Sequence, residues 1–263
     1  MKNQFLILLI DQFKRIFSNA SIRLFLFILC FFLLIAIDIN IAPFGKSLTL
    51  SIFNNKILKY SEITLVLLFH LTMLSGVHIF IPIGLASLIY LFLEPSFINY
   101  YLSRPVSRYQ IIITNLTSVF LFFILVTLPS SILVLILLKI KSGVWQINIL
   151  LIQTLQFILS GISIYALLLF IVIVTNSLNL SITLIFIHNF FLHYFLKERD
   201  SNAIVNHIIK LIKFILPPKV LSPLKLIKET NISEIIFPFT VQGLVCILVF
   251  LGISLKLYKN KEF

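Results

Sequence analysis

From Glu62 to Leu93 the chain is almost continuously apolar, and similar runs recur along its length. About 20 such residues are what a helix needs to cross a hydrocarbon core of about 30 Å. Inside that core every backbone N–H and C=O must find a partner within the protein, so a run of this kind folds as a helix. Composition agrees. Of 263 residues, 60% are hydrophobic and 11% are charged; soluble domains carry about 25% charged residues. The expectation is an all-α, polytopic membrane protein, a single membrane-spanning domain over residues 1–263.

The apolar runs place six spans at about 22–41, 62–93, 110–138, 148–174, 180–195 and 235–255. The run from 62 to 93 would reach about 50 Å as a helix. It must therefore tilt or project from the bilayer, and Pro82 is expected to kink it. Ahead of the first span, residues 3–18 read as an amphipathic interfacial helix. Phe5, Leu9, Phe13, Ile16 and Phe17 recur at helical spacing, while Asp11, Gln12, Lys14 and Arg15 fall mostly elsewhere on the wheel. Ser18-Asn19-Ala20-Ser21 then marks a break and a cap. A loop is expected from Pro43 to Ser61. Between 197 and 234, Ile204, Ile208, Leu211, Ile212 and Ile215 predict a second surface-lying helix, stopped by Pro217-Pro218.

The net charge of +12 is carried mostly between and beside the spans, where lysine and arginine anchor a protein to anionic lipid. No nucleic-acid-binding motif accompanies it, so no nucleic-acid partner is expected. Six spans put both termini on one side. That side carries fewer Lys and Arg in total than the other, and more once the 197–234 segment is set aside. Cys30 and Cys246 lie inside apolar runs and form neither a metal spacing nor a disulfide framework. The first residues lack the pattern of a cleavable signal, since Asp11, Lys14 and Arg15 break the apolar run.

Several chemistries find no support. Gly45-Lys46-Ser47 resembles the end of a phosphate-binding loop, but Asn40 stands where that loop needs its first glycine. His70 and His78 are too far apart along a helix to share a metal; His188 and His193 diverge around theirs, and His207 stands alone. Their default role is polar packing between helices. No carboxylate pair or Ser-His-Asp set is visible, so the chain is not expected to be an enzyme, and no cofactor or metal is expected. Lys, Arg, Asp and Glu cluster at span ends, with Asp38 nearest to an interior position. Ion-coupled carriers usually keep such groups near the midplane. Thr114, Asn115, Thr117 and Ser118, and Gln153, Thr154, Gln156, Ser160 and Ser163, are read as hydrogen-bonding between helices. The 27 phenylalanines are read as lipid-facing bulk.

One polar turn stands out: Leu102-Ser103-Arg104-Pro105-Val106-Ser107-Arg108, between the second and third runs. Pro105 cannot continue a preceding helix and restricts Arg104. Ser107 suits the N-cap of the next helix. Arg104 and Arg108 suit pairing with acidic side chains of a docked partner, or with lipid phosphate. A short transverse helix is expected here.

This turn resembles the cytoplasmic coupling turn of type-two ATP-binding-cassette (ABC) exporter permeases, which often carry a Pro-Val-Ser-Arg or Pro-Ile-Ser-Arg element after the second span. The layout of an amphipathic N-terminal helix and six spans is also similar. Glu94 stands near an acidic position that commonly precedes the turn. The chain departs from the family at Thr114 and Asn115, where a Gly-Lys pair is frequent. The resemblance implies a permease subunit in the cell (inner) membrane with both termini cytoplasmic. It implies a separate ABC ATPase subunit and a second permease copy or homologue as partners, besides membrane lipid. It also implies a coupling role for Glu94, Arg104, Pro105, Val106, Ser107 and Arg108. The alternatives are an ion-coupled secondary transporter, or an integral membrane enzyme or assembly subunit.

Overall fold

The computed structural model describes residues 2–38, 50–51, 57–58, 60–91, 93–94, 107–142, 147–189, 203–222 and 232–260. They are almost entirely helical. In order they form α1 (Lys2–Ser18), α2 (Ala20–Asp38), α3 (Tyr60–Ser75), a π-turn (Gly76–Phe80), α4 (Ile81–Leu91), α5 (Arg108–Ser142), α6 (Ile147–Thr175), α7 (Leu178–Ile187), α8 (Ala203–Ile215) and α9 (Ile232–Lys259). The expected loop after the first span holds a small antiparallel ladder, β1 (Leu50–Ser51) against β2 (Ile57–Leu58).

Four helical stretches are long and apolar enough to cross a membrane: Val66–Leu91, Tyr109–Ile140, Leu150–Thr175 and Ile236–Lys259. A fifth qualifies if the bent pair Gln4–Ser18 and Ala20–Leu34, which meet at 67°, counts as one span. The molecule is built as a membrane-embedded protein. The fifth expected span is described only as α7, ten residues long, and the two residues after it; residues 190–195 fall outside the described residues.

The bend between α1 and α2 sits on Asn19. Its Oδ1 accepts from the N–H groups of Ser21 at 3.0 Å and Ile22 at 3.4 Å, which is the N-cap expected there. Ser177 does the same for α7, accepting from Leu180 N after Asn176 turns the chain at φ 52°. Pro82 was expected to kink the second run. The break lies just ahead of it, as the π-turn, where Ile81 N–H reaches back five residues to Gly76 O. A proline removes one donor from the ladder, and a widened turn absorbs the mismatch.

The helices pair in a definite sense. α2 runs antiparallel to α3–α4, since Asn19 meets Gly84, Phe25 lies on Gly76 and Phe32 touches Phe69. α5 and α6 are antiparallel: Asn115 bonds Tyr165, Phe123 lies on Gly161 and Ser131 bonds Thr154. A Cβ on Gly161 would sit 2.3 Å from the Phe123 ring, so this crossing needs the missing side chain. α6 and α9 are parallel, with Leu159 on Gly243, Ser163 on Gly243 and Cys246, and Phe170 on Phe250. α6 is the central helix; 72% of its most apolar window is buried, against 22% for α9.

The phenylalanines divide. Phe27, Phe31 and Phe237 face outward as expected, but Phe25, Phe69, Phe122, Phe123 and Phe157 are fully buried. A bundle in lipid has little hydrophobic drive to associate, so close packing of large rings against glycines holds it together.

α8 ends before Pro217-Pro218, as the sequence suggested, and the chain at its C-terminal end is bonded to the bundle. Gln242 of α9 donates to the carbonyls of Lys213 at 2.7 Å and Leu216 at 3.0 Å. Ser160 of α6 donates to Pro218 O at 3.3 Å, and Leu221 N–H donates to Gln156 Oε1 at 3.3 Å. Gln242 lies about 15 Å along α9 from its start, and Ser160 about 20 Å along α6. The bend at 216–218 therefore reaches down the flank of the α6–α9 pair, and by Leu221 the chain is returning. Irregular backbone among apolar helices must be bonded by side chains. Gln156, Ser160 and Gln242 supply those bonds, and two prolines lower the number of N–H groups to satisfy. Val205, Ile208, Leu211 and Ile212 are exposed.

Candidate functional site

The candidate coupling turn joins α4 to α5. Arg104, Pro105 and Val106, and with them the expected transverse helix, lie outside the described residues. Its flanks are described. After α4 the chain tightens, with Leu93 N bonding Tyr90 O at 2.9 Å and Glu94 N bonding Leu91 O at 3.2 Å. The Glu94 side chain is half-buried. On the far flank Ser107 caps α5. Gln110 N–H donates to Ser107 Oγ at 3.2 Å, and Ser107 N–H donates to Gln110 Oε1 at 2.8 Å. This reciprocal pair is a capping box with Gln at its fourth position. Arg108 is the first residue of α5; its side chain lies outside the described residues.

Both flanks are gripped by the N-terminal helix and its joint. Gln12 donates to Ile111 O at 3.3 Å, one turn beyond the Ser107 cap. Ser118 donates to Leu9 O at 3.3 Å, and the rings of Phe17 and Phe122 meet edge-on at 5.4 Å. On the α4 side, Asn19 Nδ2 donates to Gly84 O at 3.3 Å and Ser87 Oγ at 3.0 Å. A Cβ on Gly84 would lie 2.7 Å from Asn19 Oδ1, so the close approach depends on glycine.

Sequence reasoning assigned Gln12 to the polar side of α1. In the structure it is 1% exposed, between Leu8 and Ile16 on the stripe that meets α5. Its spacing of four residues from each was the available signal. Leu6, Ile7 and Ile10 are exposed, and the exposed or half-exposed polar groups are Gln4, Asp11, Lys14, Arg15 and Ser18. Asp11 and Arg15 form an ion pair at 3.0 Å, one turn apart.

The interior polar residues mostly bond between helices or back to their own. Tyr165 donates to Asn115, and Thr154 to Ser131 at 2.6 Å. Gln153 and His70 approach at 3.5 Å, and His70 packs on the Phe157 ring. Thr114, Ser118, Thr127, Ser130 and Ser163 bond carbonyls three or four residues back. The expected inter-helix role therefore holds for Asn115, Ser118, Thr154, Gln153 and Ser163, with Ser160 and Gln156 turned to the 216–221 segment. His193 lies outside the described residues, and His207 is exposed. Among the described residues no three His, Cys, Asp or Glu gather as metal ligands.

No family model, curated protein or solved structure matches the chain.

Proposed function

We propose that the chain is the membrane-spanning subunit of an ATP-driven exporter of the ABC type. The observation that carries the reading is the grip of α1 and Asn19 on both flanks of the 95–106 turn. A load applied to that turn would pass to α4, α5 and the N-terminal helix together, as a coupling element requires. Glu94, Arg104, Pro105, Val106, Ser107 and Arg108 would form the docking edge for a separate ATPase subunit. A second permease copy would complete the pathway.

The pairing of α6 with α9 supports the six-span arrangement of this reading. Those helices run parallel, so α6 ends and α9 starts at opposite ends of the bundle. In this reading the chain between them crosses once more, with α7 starting that return. An even number of crossings puts both termini on one side, and the exporter reading makes that side the cytoplasm of a cell with its protein in the inner membrane. α1 then lies at the interface. Its Leu8–Gln12–Ile16 stripe meets protein, Leu6 and Ile10 meet lipid, and Lys14, Arg15 and Asp11 meet headgroups and water.

Affinity purification of the chain from its native membrane tests the reading. A nucleotide-hydrolysing subunit recovered in comparable amount supports it; recovery of the chain alone, with transport by that chain in ATP-free vesicles, favours an ion-coupled carrier. The observation on the carrier's side is the buried His70 beside Gln153, which helix packing also explains.

A further inference from the structure

The second membrane run is two helices in series, and the join has three unusual contacts. Pro82 brings no N–H, so the carbonyl of His78, four residues back, receives no bond from it. Asn189, just beyond α7, donates its Nδ2 to that carbonyl at 2.8 Å. On the other side Phe25 of α2 lies against Gly76, where a Cβ would come within 2.1 Å of its ring. Above the join, α3 is held to α6 by Phe69 on Phe157 at 6.4 Å and by His70 near Gln153. Below it, α4 is held to Asn19.

We propose that the π-turn and Pro82 form a hinge in this span, and that Asn189 is its latch. A π-turn carries about one extra residue per turn, and such bulges recur at functional sites within α-helices. Gly76 lets the Phe25 ring act as the fulcrum. Both halves pack on α2 and α6, and α4 also packs along α7, so bending at the join changes the angle between α3 and α4 within that packing. The latch is not fully satisfied. Asn189 Oδ1 is buried without a hydrogen-bond partner among the described residues, which lowers the cost of letting go. Because α4 leads into Glu94 and the 95–106 turn, the hinge links α7 to the candidate docking edge. The hinge itself rests on the geometry alone, and its test reads no transport.

The test is hydrogen–deuterium exchange on the full chain in lipid nanodiscs, comparing the 76–91 peptides with those of 60–75. Asn189→Leu should speed exchange in 76–91 by about three- to tenfold, the effect of one lost buried bond, and leave 60–75 unchanged. Pro82→Ala returns a donor for His78 O. It should slow exchange in 76–91, and in that background Asn189→Leu should have no further effect. Unchanged exchange after Asn189→Leu, or an equal effect in the Pro82→Ala background, overturns the latch. Should Asn189→Leu fail to fold, Pro82→Ala alone decides: slower exchange supports the hinge, and unaltered exchange removes it.

Discussion

Asn19 and Gly84 meet where three helices converge: the side chain that caps α2 also donates to the Gly84 carbonyl at 3.3 Å. One residue thereby caps the helix after the 67° bend and ties the bend to the helix that leads into the candidate coupling turn.

Asn19→Ala removes the cap and the inter-helix bonds together and should cost about 1–3 kcal/mol. Asn19→Ser keeps a capping oxygen and should cost less. Gly84→Ala drives a methyl group into Asn19 and Ile22 and should loosen the same joint. Thermal unfolding in detergent reads all three, and equal stability of Asn19→Ala and wild type would refute this assignment.

Tyr165 and Asn115 are a buried pair between α5 and α6. Tyr165→Phe leaves Asn115 Oδ1 without its partner and should destabilise by about 1–2 kcal/mol. Adding Asn115→Leu should recover part of that loss, since two apolar partners need no bond. A double-mutant cycle with no coupling would show the pair to be incidental.

Gly161→Leu places a side chain where the Phe123 ring lies. Overpacking there should cost about 1–3 kcal/mol or prevent assembly of the α5–α6 pair. Shortening the ring with Phe123→Ala in the same chain should restore some of the loss. Folded yield by size-exclusion chromatography is the measurement.

The α8 segment separates two placements of an amphipathic helix. If it reaches down the α6–α9 flank, cysteines at Ile208 and Leu211 should resist a water-soluble maleimide, and one at His207 should react faster. Gln242→Leu frees the Lys213 and Leu216 carbonyls and should raise labelling at Leu211 several-fold. Equal, rapid labelling at Ile208, Leu211 and His207 would return the helix to the water-facing surface.

Much of this was legible in the sequence because hydrophobic length and caps are local signals. The long runs, the Asn19 break, the Ser107 cap and the stop at Pro217-Pro218 all stand in the structure. The misreadings share a cause. A helical wheel tells which residues lie on one face, but not what covers that face. Gln12 looked like a solvent-facing residue, yet a carbonyl of α5 waits opposite it. The 204–215 stripe reads as a surface helix and much of it is exposed, but the wheel gave no sign that Gln156, Ser160 and Gln242 bond the chain from Lys213 to Leu221. Phe25 and Phe27 are two residues apart and differ completely in burial, which only the packing of α2 against Gly76 decides. Of the candidate site, the Ser107 cap was readable because it is local. The grip of Gln12 and Asn19 was not, since it joins residues about 65 to 100 positions apart.

The most direct measurement is charge reversal in the turn, Arg104→Glu with Arg108→Glu, followed by recovery of the ATPase subunit on the tagged chain. The account predicts at least a tenfold drop in recovered ATPase and in ATP-dependent transport, about 1.4 kcal/mol or more of binding, with membrane insertion and thermal stability unchanged. Undiminished recovery and transport would contradict it.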